Sequence, residues 1–365
     1  VTSEEKKIVF IAPLDWGLGH ATRCVPLIQE LICQDFHVII GGSGLSGQWI
    51  RQEFPELEYL EIPSEVFTYS KYIPMPLYII SLFKKLKRLI KKEKHWLDNY
   101  LKNKKVDLII SDNRYGLHSK NIPSVIITHQ LYLHLGFFSW MQPIINRIIF
   151  SLLHPFDQIW VPDTETEPSL SGKLSHNSSI PLNVKYIGPL SRFMGKKSFS
   201  PSINSYKYKF AFVLSGPEPH RTMLEEECLQ LISQLKEECV LIRGTKLHSK
   251  KIVLSHLTII DFADSETLFH YINQSEVIVS RAGYSSLMDW ACLQKHSVII
   301  PTPGQTEQEY LAWYHSRTGL FTSIKQGQLK NLNQLLKRID SNQFKFSHQF
   351  SNYLQEVMQI KKVNN

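Results

Sequence analysis

Val277-Ile-Val-Ser-Arg-Ala-Gly-Tyr-Ser-Ser-Leu-Met-Asp-Trp-Ala-Cys292 reads as an apolar strand that breaks at a small-residue turn and continues as a helix. Val298-Ile-Ile300 repeats the pattern downstream, running into Pro301-Thr-Pro-Gly304 and a polar helix start, Gln305-Thr-Glu-Gln-Glu309. Upstream, strands are expected at Lys209–Leu214, Cys239–Ile242 and Leu257–Ile260, with a loop at Ser215–Arg221 and a helix at Thr222–Lys236. Alternation of this kind implies a parallel sheet covered by helices on both faces.

The first half has the same grammar. Lys6–Ala12 is an apolar strand, Asp15-Trp-Gly-Leu-Gly-His20 a glycine loop, and Val25, Leu27, Ile28, Leu31 and Ile32 mark a helix before the strand His37–Ile40. Further strands are expected at Glu58–Ile62, Val106–Ile110, Ser124–Ile127 and Gln158–Val161. Between the halves, Gly188–Lys209 is polar and turn-rich. The expected fold is therefore α/β, with two doubly wound Rossmann-like domains facing across a cleft. The first spans 1–190, a linker 191–208, the second domain 209–345, and a helix over 346–365 returns to the first domain. A ligand belongs at the carboxyl ends of the strands between them.

Composition sets outer bounds. The chain has 365 residues, 43% of them hydrophobic, which suits two cores better than one. Five cysteines without a C-x-x-C pair are expected to be reduced thiols, pointing to the cytoplasm. The opening Val1-Thr-Ser-Glu-Glu-Lys-Lys7 has no signal-peptide core, and no apolar run is long enough to span a bilayer. The net charge of +8 is equalled by one stretch, Lys84–Lys105, where ten Lys or Arg face two acids. A charge excess confined to one helix argues against a nucleic-acid partner and for a surface patch.

The turn after Val277–Val279 has the chemistry of a diphosphate site. Ala282 and Gly283 admit a ligand to the backbone, the amides of Tyr284–Ser286 begin a helix, and Ser285 and Ser286 add hydroxyls. Asp289 lies one turn on, placed to accept from a ribose diol. Ser286-x-x-Asp289 is equally a capping box, in which the acid serves its own helix; the second polar junction at Pro301–Glu309 favours the ligand. Arg281 and Arg243, near the ends of their strands, would stabilise a departing diphosphate, and Phe262 joins them on the donor side. In the first domain, His20 stands at a helix start that disfavours imidazolium, which suits a general base. Asp15 and Asp112 are alternative bases. Asn113, His129 and Gln130 follow strands of this domain and should face the same cleft. No D-x-D or histidine cluster suggests a metal, and no cofactor is expected beyond a nucleotide-sugar used as substrate.

Ser280-Arg-Ala-Gly283 through Asp289, with Pro301 and Gln305–Glu309, resembles the donor half of family 28 GT-B glycosyltransferases, which include the enzyme that makes lipid II. The resemblance implies that Asp289 binds the ribose and that Gln308 and Glu309, with Gln305, meet the sugar hydroxyls. Glu309 stands where the family often has an amide. Ser215-Gly216, opening the loop after Leu214, match the family's second glycine loop loosely, because prolines replace amide donors there. Gly17-Leu-Gly19-His-Ala-Thr-Arg23 resembles a G-x-G-H-x-x-R branch, and Ile122–Gln130 an I-P-x-x-x-x-x-x-Q segment near the acceptor. Inversion at the anomeric carbon is implied by the resemblance.

Pro74 and Pro76 precede a basic amphipathic helix, with Ile79, Leu82, Phe83, Leu86, Leu89 and Ile90 on one face and lysines on the other. Such a helix, within 77–105, suits an anionic membrane surface at the inner face and a lipid-linked acceptor; an ordinary core helix with a solvated face reads the same. The sequence thus predicts transfer of a hexose or N-acetylhexosamine from a nucleotide-linked donor, with UDP the expected nucleotide. The alternatives are a nucleotide-sugar hydrolase or epimerase on this fold, and a non-catalytic membrane-binding protein.

Overall fold

A computed structural model of the chain describes residues 6–65, 75–133, 140–177, 181, 183–196, 206–245, 251–332, 334 and 350–360, with the backbone alone over 75–83. The first domain runs β1 (Ile8–Pro13), α1 (Leu18–Cys33), β2 (His37–Gly42), α2 (Gly44–Glu53), β3 (Glu58–Glu61), α3 (Met75–Leu101), β4 (Leu108–Asp112), β5 (Ser124–Ile127), α4 (Gln142–Leu153), β6 (Gln158–Val161) and β7 (Val184–Tyr186). The sheet order is β3-β2-β1-β4-β5-β6-β7, and all six pairings are parallel. Val9, Phe10, Ile11 and Ala12 are all fully buried, which is why β1 reads as a continuous apolar run and not as an alternation.

The second domain repeats the plan: β8 (Tyr208–Val213), α5 (His220–Ile232), β9 (Cys239–Ile242), β10 (Lys251–Leu254), β11 (Leu257–Ile260), α6 (Ser265–Asn273), β12 (Ser275–Arg281), α7 (Tyr284–Cys292), β13 (Ser297–Ile300), α8 (Thr306–Thr318) and β14 (Thr322–Ser323). Its order is β10-β11-β9-β8-β12-β13-β14, with β10 antiparallel and the other pairings parallel. Strand β7 and the outer strands β10 and β14 have no counterpart in the sequence reading. Each is four residues or fewer and carries no buried residue; the apolar Ile252-Val-Leu254 of β10 is exposed.

Each sheet has one point where strand order reverses, between β1 and β4 in the first and between β8 and β12 in the second. Loops diverge there and open a crevice at the carboxyl edge. Pro13 pairs with Asp112 at one crevice, and Val213 with Ser280, next to Arg281, at the other.

Two connecting segments do more than span a gap. Gly188–Lys196 was expected to be the polar start of the linker, but Leu190 and Phe193 are buried, because these two apolar side chains fall on α7 and α6. A last helix, α9 (Phe350–Met358), packs on the first domain: Phe350 meets Trp160 edge-on at 5.3 Å, and Ser351 Oγ donates to Glu30 at 2.7 Å. No helix of the described residues is long and apolar enough to cross a membrane.

Candidate active site

Two loops and one helix start from the first domain meet the N-termini of α7 and α8 from the second. Arg23, on α1 and 2% exposed, is the centre of the first-domain half. Its Nε donates to Asp112 Oδ2 at 2.8 Å, its Nη2 to Asp112 Oδ1, and its Nη1 to His129 Nδ1 at 3.1 Å. Burial by itself would raise the Asp112 pKa, but Arg23 and His20 outweigh it and bring it down to about 2.

His20 Nδ1 lies 3.1 Å from Asp112 Oδ2 and 2.9 Å from Arg23 Nη2. One ring nitrogen cannot donate to the first and accept from the second. Arg23 Nη2 already donates to Asp112, so the carboxylate takes the Nδ1–H. That tautomer leaves a lone pair on Nε2. Burial lowers the His20 pKa, against the pull of Asp112, and keeps the ring neutral.

Asp112 was an alternative base, and here the structure corrects the expectation. The residue is fully buried and its oxygens are taken by Arg23 and His20, so it orients the ring and does not meet an acceptor. Asp15 belongs to a separate network: it accepts from Ser43 Oγ at 3.0 Å and sits 3.8 Å from Arg114. Arg114 is buried and bridges to Glu93 of α3 at 2.9 Å, so this cluster ties α3 to the carboxyl edge of the sheet. Asn113 takes a left-handed backbone (φ 54°) between Asp112 and Arg114. Gln130 is half-buried next to His129.

The second-domain half is seated on the first. Gly17 (φ 106°) caps α1, and at Gly19 a Cβ would come within 2.9 Å of Ser285 Oγ, which donates to the Gly19 carbonyl at 2.8 Å. Tyr284 stacks face to face on His129, with ring centroids 4.0 Å apart, and its hydroxyl donates to Pro162 O. Glu307 Oε1, in the first turn of α8, accepts from His129 Nε2 at 2.8 Å. Neither Glu307 nor the seating of Tyr284 was foreseen, because nothing in a helix-start sequence says which side chain will face another domain.

His315, further along α8, donates from Nε2 to Leu170 O of the first domain at 2.8 Å, and burial drives its pKa down to about 4. The unfolded ring binds its proton near pH 6.5, so stability is full above that value and is lost as pH falls toward 4. Urea melts at pH 7.5 and 4.5 should differ by about 2 to 3 kcal/mol on this account, a difference absent from His315→Gln. An equal fall in both proteins rejects the assignment.

Three donor-side expectations are revised. Asp289 is 2% exposed, with Oδ1 accepting from Ser191 Oγ at 2.7 Å and Oδ2 from Arg192 Nε at 3.0 Å; the returning chain covers the carboxylate that was expected to be open to a ribose. Nor does Asp289 cap its own helix, whose N-cap Gly283 has no side-chain cap bond. Gln308 and Glu309 bond to their own loop, at Thr302 N and Gly304 N (both 2.9 Å), and Gln308 also holds Gln305 at 2.6 Å.

What remains is Arg281. It is 1% exposed at the end of β12, with Ala282 buried behind it, and donates only to the carbonyls of His220 (2.7 Å) and Pro301 (3.4 Å). No carboxylate forms an ion pair with it among the described residues, and burial lowers its pKa to about 10. Its Nε, Thr302 Oγ1 and His220 Nδ1 are all buried without a partner. The first two face Gly216 (φ 105°) in the exposed Ser215–Pro219 loop, 3.9 and 3.7 Å from where a Cβ would stand. Arg243, by contrast, is paired with Glu225 and Asp261, and Phe262 packs into the core beside them. Ser286 lies half-buried in the first turn of α7.

Residues 220–362 match the glycosyltransferase family 28 C-terminal domain. A glycosyltransferase of Methanosarcina acetivorans is 25% identical over 309 residues, covering 80% of this chain and 79% of that one. Among solved structures, Acinetobacter baumannii MurG superposes with a TM-score of 0.56 at 14% identity over 92% of this chain and 93% of its own. The spinosyn rhamnosyltransferase SpnG, complexed with thymidine diphosphate, has a TM-score of 0.56 at 14% identity over 91% and 92%. The fold is GT-B. The chain is a glycosyltransferase whose second domain matches family 28.

Proposed function

We propose that this enzyme moves a hexose or N-acetylhexosamine from a nucleoside-diphosphate sugar, with UDP the expected nucleotide, to an acceptor hydroxyl with inversion. The buried Arg281, which forms no ion pair among the described residues, carries the reading. A buried cation without a counter-charge is costly, and orphaned polar atoms around it ask for a ligand that supplies both charge and acceptors. A diphosphate over Gly216 does so, with the uncapped start of α7 beside it. The thymidine diphosphate held by SpnG supports the same class of donor.

The acceptor hydroxyl gives its proton to His20 Nε2 as its oxygen bonds to the anomeric carbon. The bond from that carbon to the diphosphate breaks, and the electron pair leaves with the nucleotide, where Arg281 meets the charge. No step calls for a metal. A thermal-shift panel of UDP, TDP, GDP and their sugars tests the donor site: at 100 times its Kd a true ligand adds about 2.7 kcal/mol. The donor assignment falls if none of them moves the transition at millimolar concentration. Stoichiometric release of free sugar without acceptor would replace transfer by hydrolysis.

The acceptor is proposed to be lipid-linked. Glu93 fixes α3 to Arg114 at the sheet edge, and the 18 residues of α3 before it would run about 27 Å as a helix. Lys84, Lys87, Arg88, Lys91 and Lys92 of this helix are exposed, and Trp140 and Ile144 are exposed before and on α4. Binding to phosphatidylglycerol vesicles, and not to phosphatidylcholine, is expected in a flotation assay. Equal flotation with both, or with neither, would remove the membrane reading.

A further inference from the structure

We infer that Glu307 is a positioning residue for His20, supplying from the donor half the negative charge that lets a base on the acceptor half hold a proton. The inference rests on His20 being the base. The connection is continuous: Glu307 Oε1 holds His129 Nε2–H at 2.8 Å, His129 Nδ1 accepts from Arg23 at 3.1 Å, and Arg23 clamps Asp112, which holds His20. A single tautomer of His129 satisfies both of its bonds, and Tyr284 stacked at 4.0 Å keeps the ring in that plane.

Charge explains why Glu307 matters. The groups facing one another here are His20, Arg23 and Cys24 from α1, Asp112 from β4, Tyr115 just beyond it, His129 after β5, Tyr284 from α7 and Glu307 from α8. Burial holds the thiol and both phenols neutral. Arg23 therefore stands against two carboxylates, and the cluster carries one net negative charge. When His20 takes a proton, the cluster becomes neutral. Without Glu307 the same step would go from neutral to positive in a buried site, which is the costlier direction. Burial opposes the ionisation of Glu307, but the N–H it accepts from His129 and the charge of Arg23 favour it and hold its pKa below the usual carboxylate value. Because Glu307 rides on α8, this charge reaches the base only when the second domain is seated on the first.

Glu307→Gln keeps an acceptor for His129 and removes only the charge. In the full chain with 15N-labelled histidine, the His20 signal, assigned by its loss in His20→Gln, should titrate about 1 pH unit lower in Glu307→Gln, while Glu307→Asp retains the wild-type midpoint. With the nucleotide-sugar that the thermal-shift panel selects, kcat should fall about tenfold in Glu307→Gln with KM unmoved. An unchanged His20 midpoint overturns the inference, whatever His20→Ala does to transfer. A shifted midpoint with full transfer in His20→Ala overturns the base assignment and, with it, the positioning role.

Discussion

Arg281→Met should abolish the nucleotide-dependent rise in melting temperature and leave the ligand-free protein as stable as before or more so. The two halves of that expectation have one cause. In the free protein the guanidinium is buried against two backbone carbonyls with no ion-paired acid among the described residues, so removing it also removes a poorly compensated charge. In the complex the same charge faces the diphosphate, and truncating one member of a buried charged pair costs about 3 kcal/mol, or a factor of about 100 in affinity. Arg243→Met is the control. Its charge already balances Glu225 and Asp261, so its loss strands two acids and lowers stability while the nucleotide response survives. Isothermal titration with the responding nucleotide measures the first effect, and urea melts the second. Equal loss of affinity in both variants would move the diphosphate site away from Arg281.

Asp112→Ala should be the most destabilising single change in the acceptor half, by about 3 to 5 kcal/mol, because it leaves Arg23 buried without its bidentate partner. The native pair also has a pH signature. Asp112 titrates near 2 in the folded protein and near 3.8 when unfolded, so its contribution, about 2 kcal/mol, is present above pH 3.8 and is lost as pH falls through 2. Arg23→Met together with Asp112→Leu should recover much of the loss, since an apolar pair of similar volume strands no charge. That double variant would still be inactive, having lost the partner that orients His20. A cost below about 1 kcal/mol for Asp112→Ala would mean that water reaches Arg23, and would undo the account of a closed cluster.

The alternation of apolar runs with glycine loops and helical patterns was enough to place eleven of the fourteen strands among the described residues, most of which are covered on both faces and therefore apolar. It was not enough for β7, β10 and β14, which bury no residue. The same limit governs the site. Ser280–Asp289 and Gly17–Arg23 were legible as loops at the carboxyl edge, since small residues after a buried strand have a local reason to be there. Which of their side chains is free was not legible. Asp289 turned out to be covered by Ser191 and Arg192, Gln308 and Glu309 to brace their own loop, and Ser285 to reach across to Gly19.

By itself the sequence determined the two α/β units, the glycine and small-residue loops after their strands, and the residue types placed there, all properties of local periodicity and turn chemistry. Only the tertiary structure decided that Arg281 has no ion-paired acid among the described residues while Arg243 has two, that Asp112 orients His20 and is no base itself, and that Glu307 closes the chain from the other domain. Those are facts about pairing between residues 18 to 178 positions apart. The free energy of a charge depends on what surrounds it in space, which no stretch of neighbouring residues encodes.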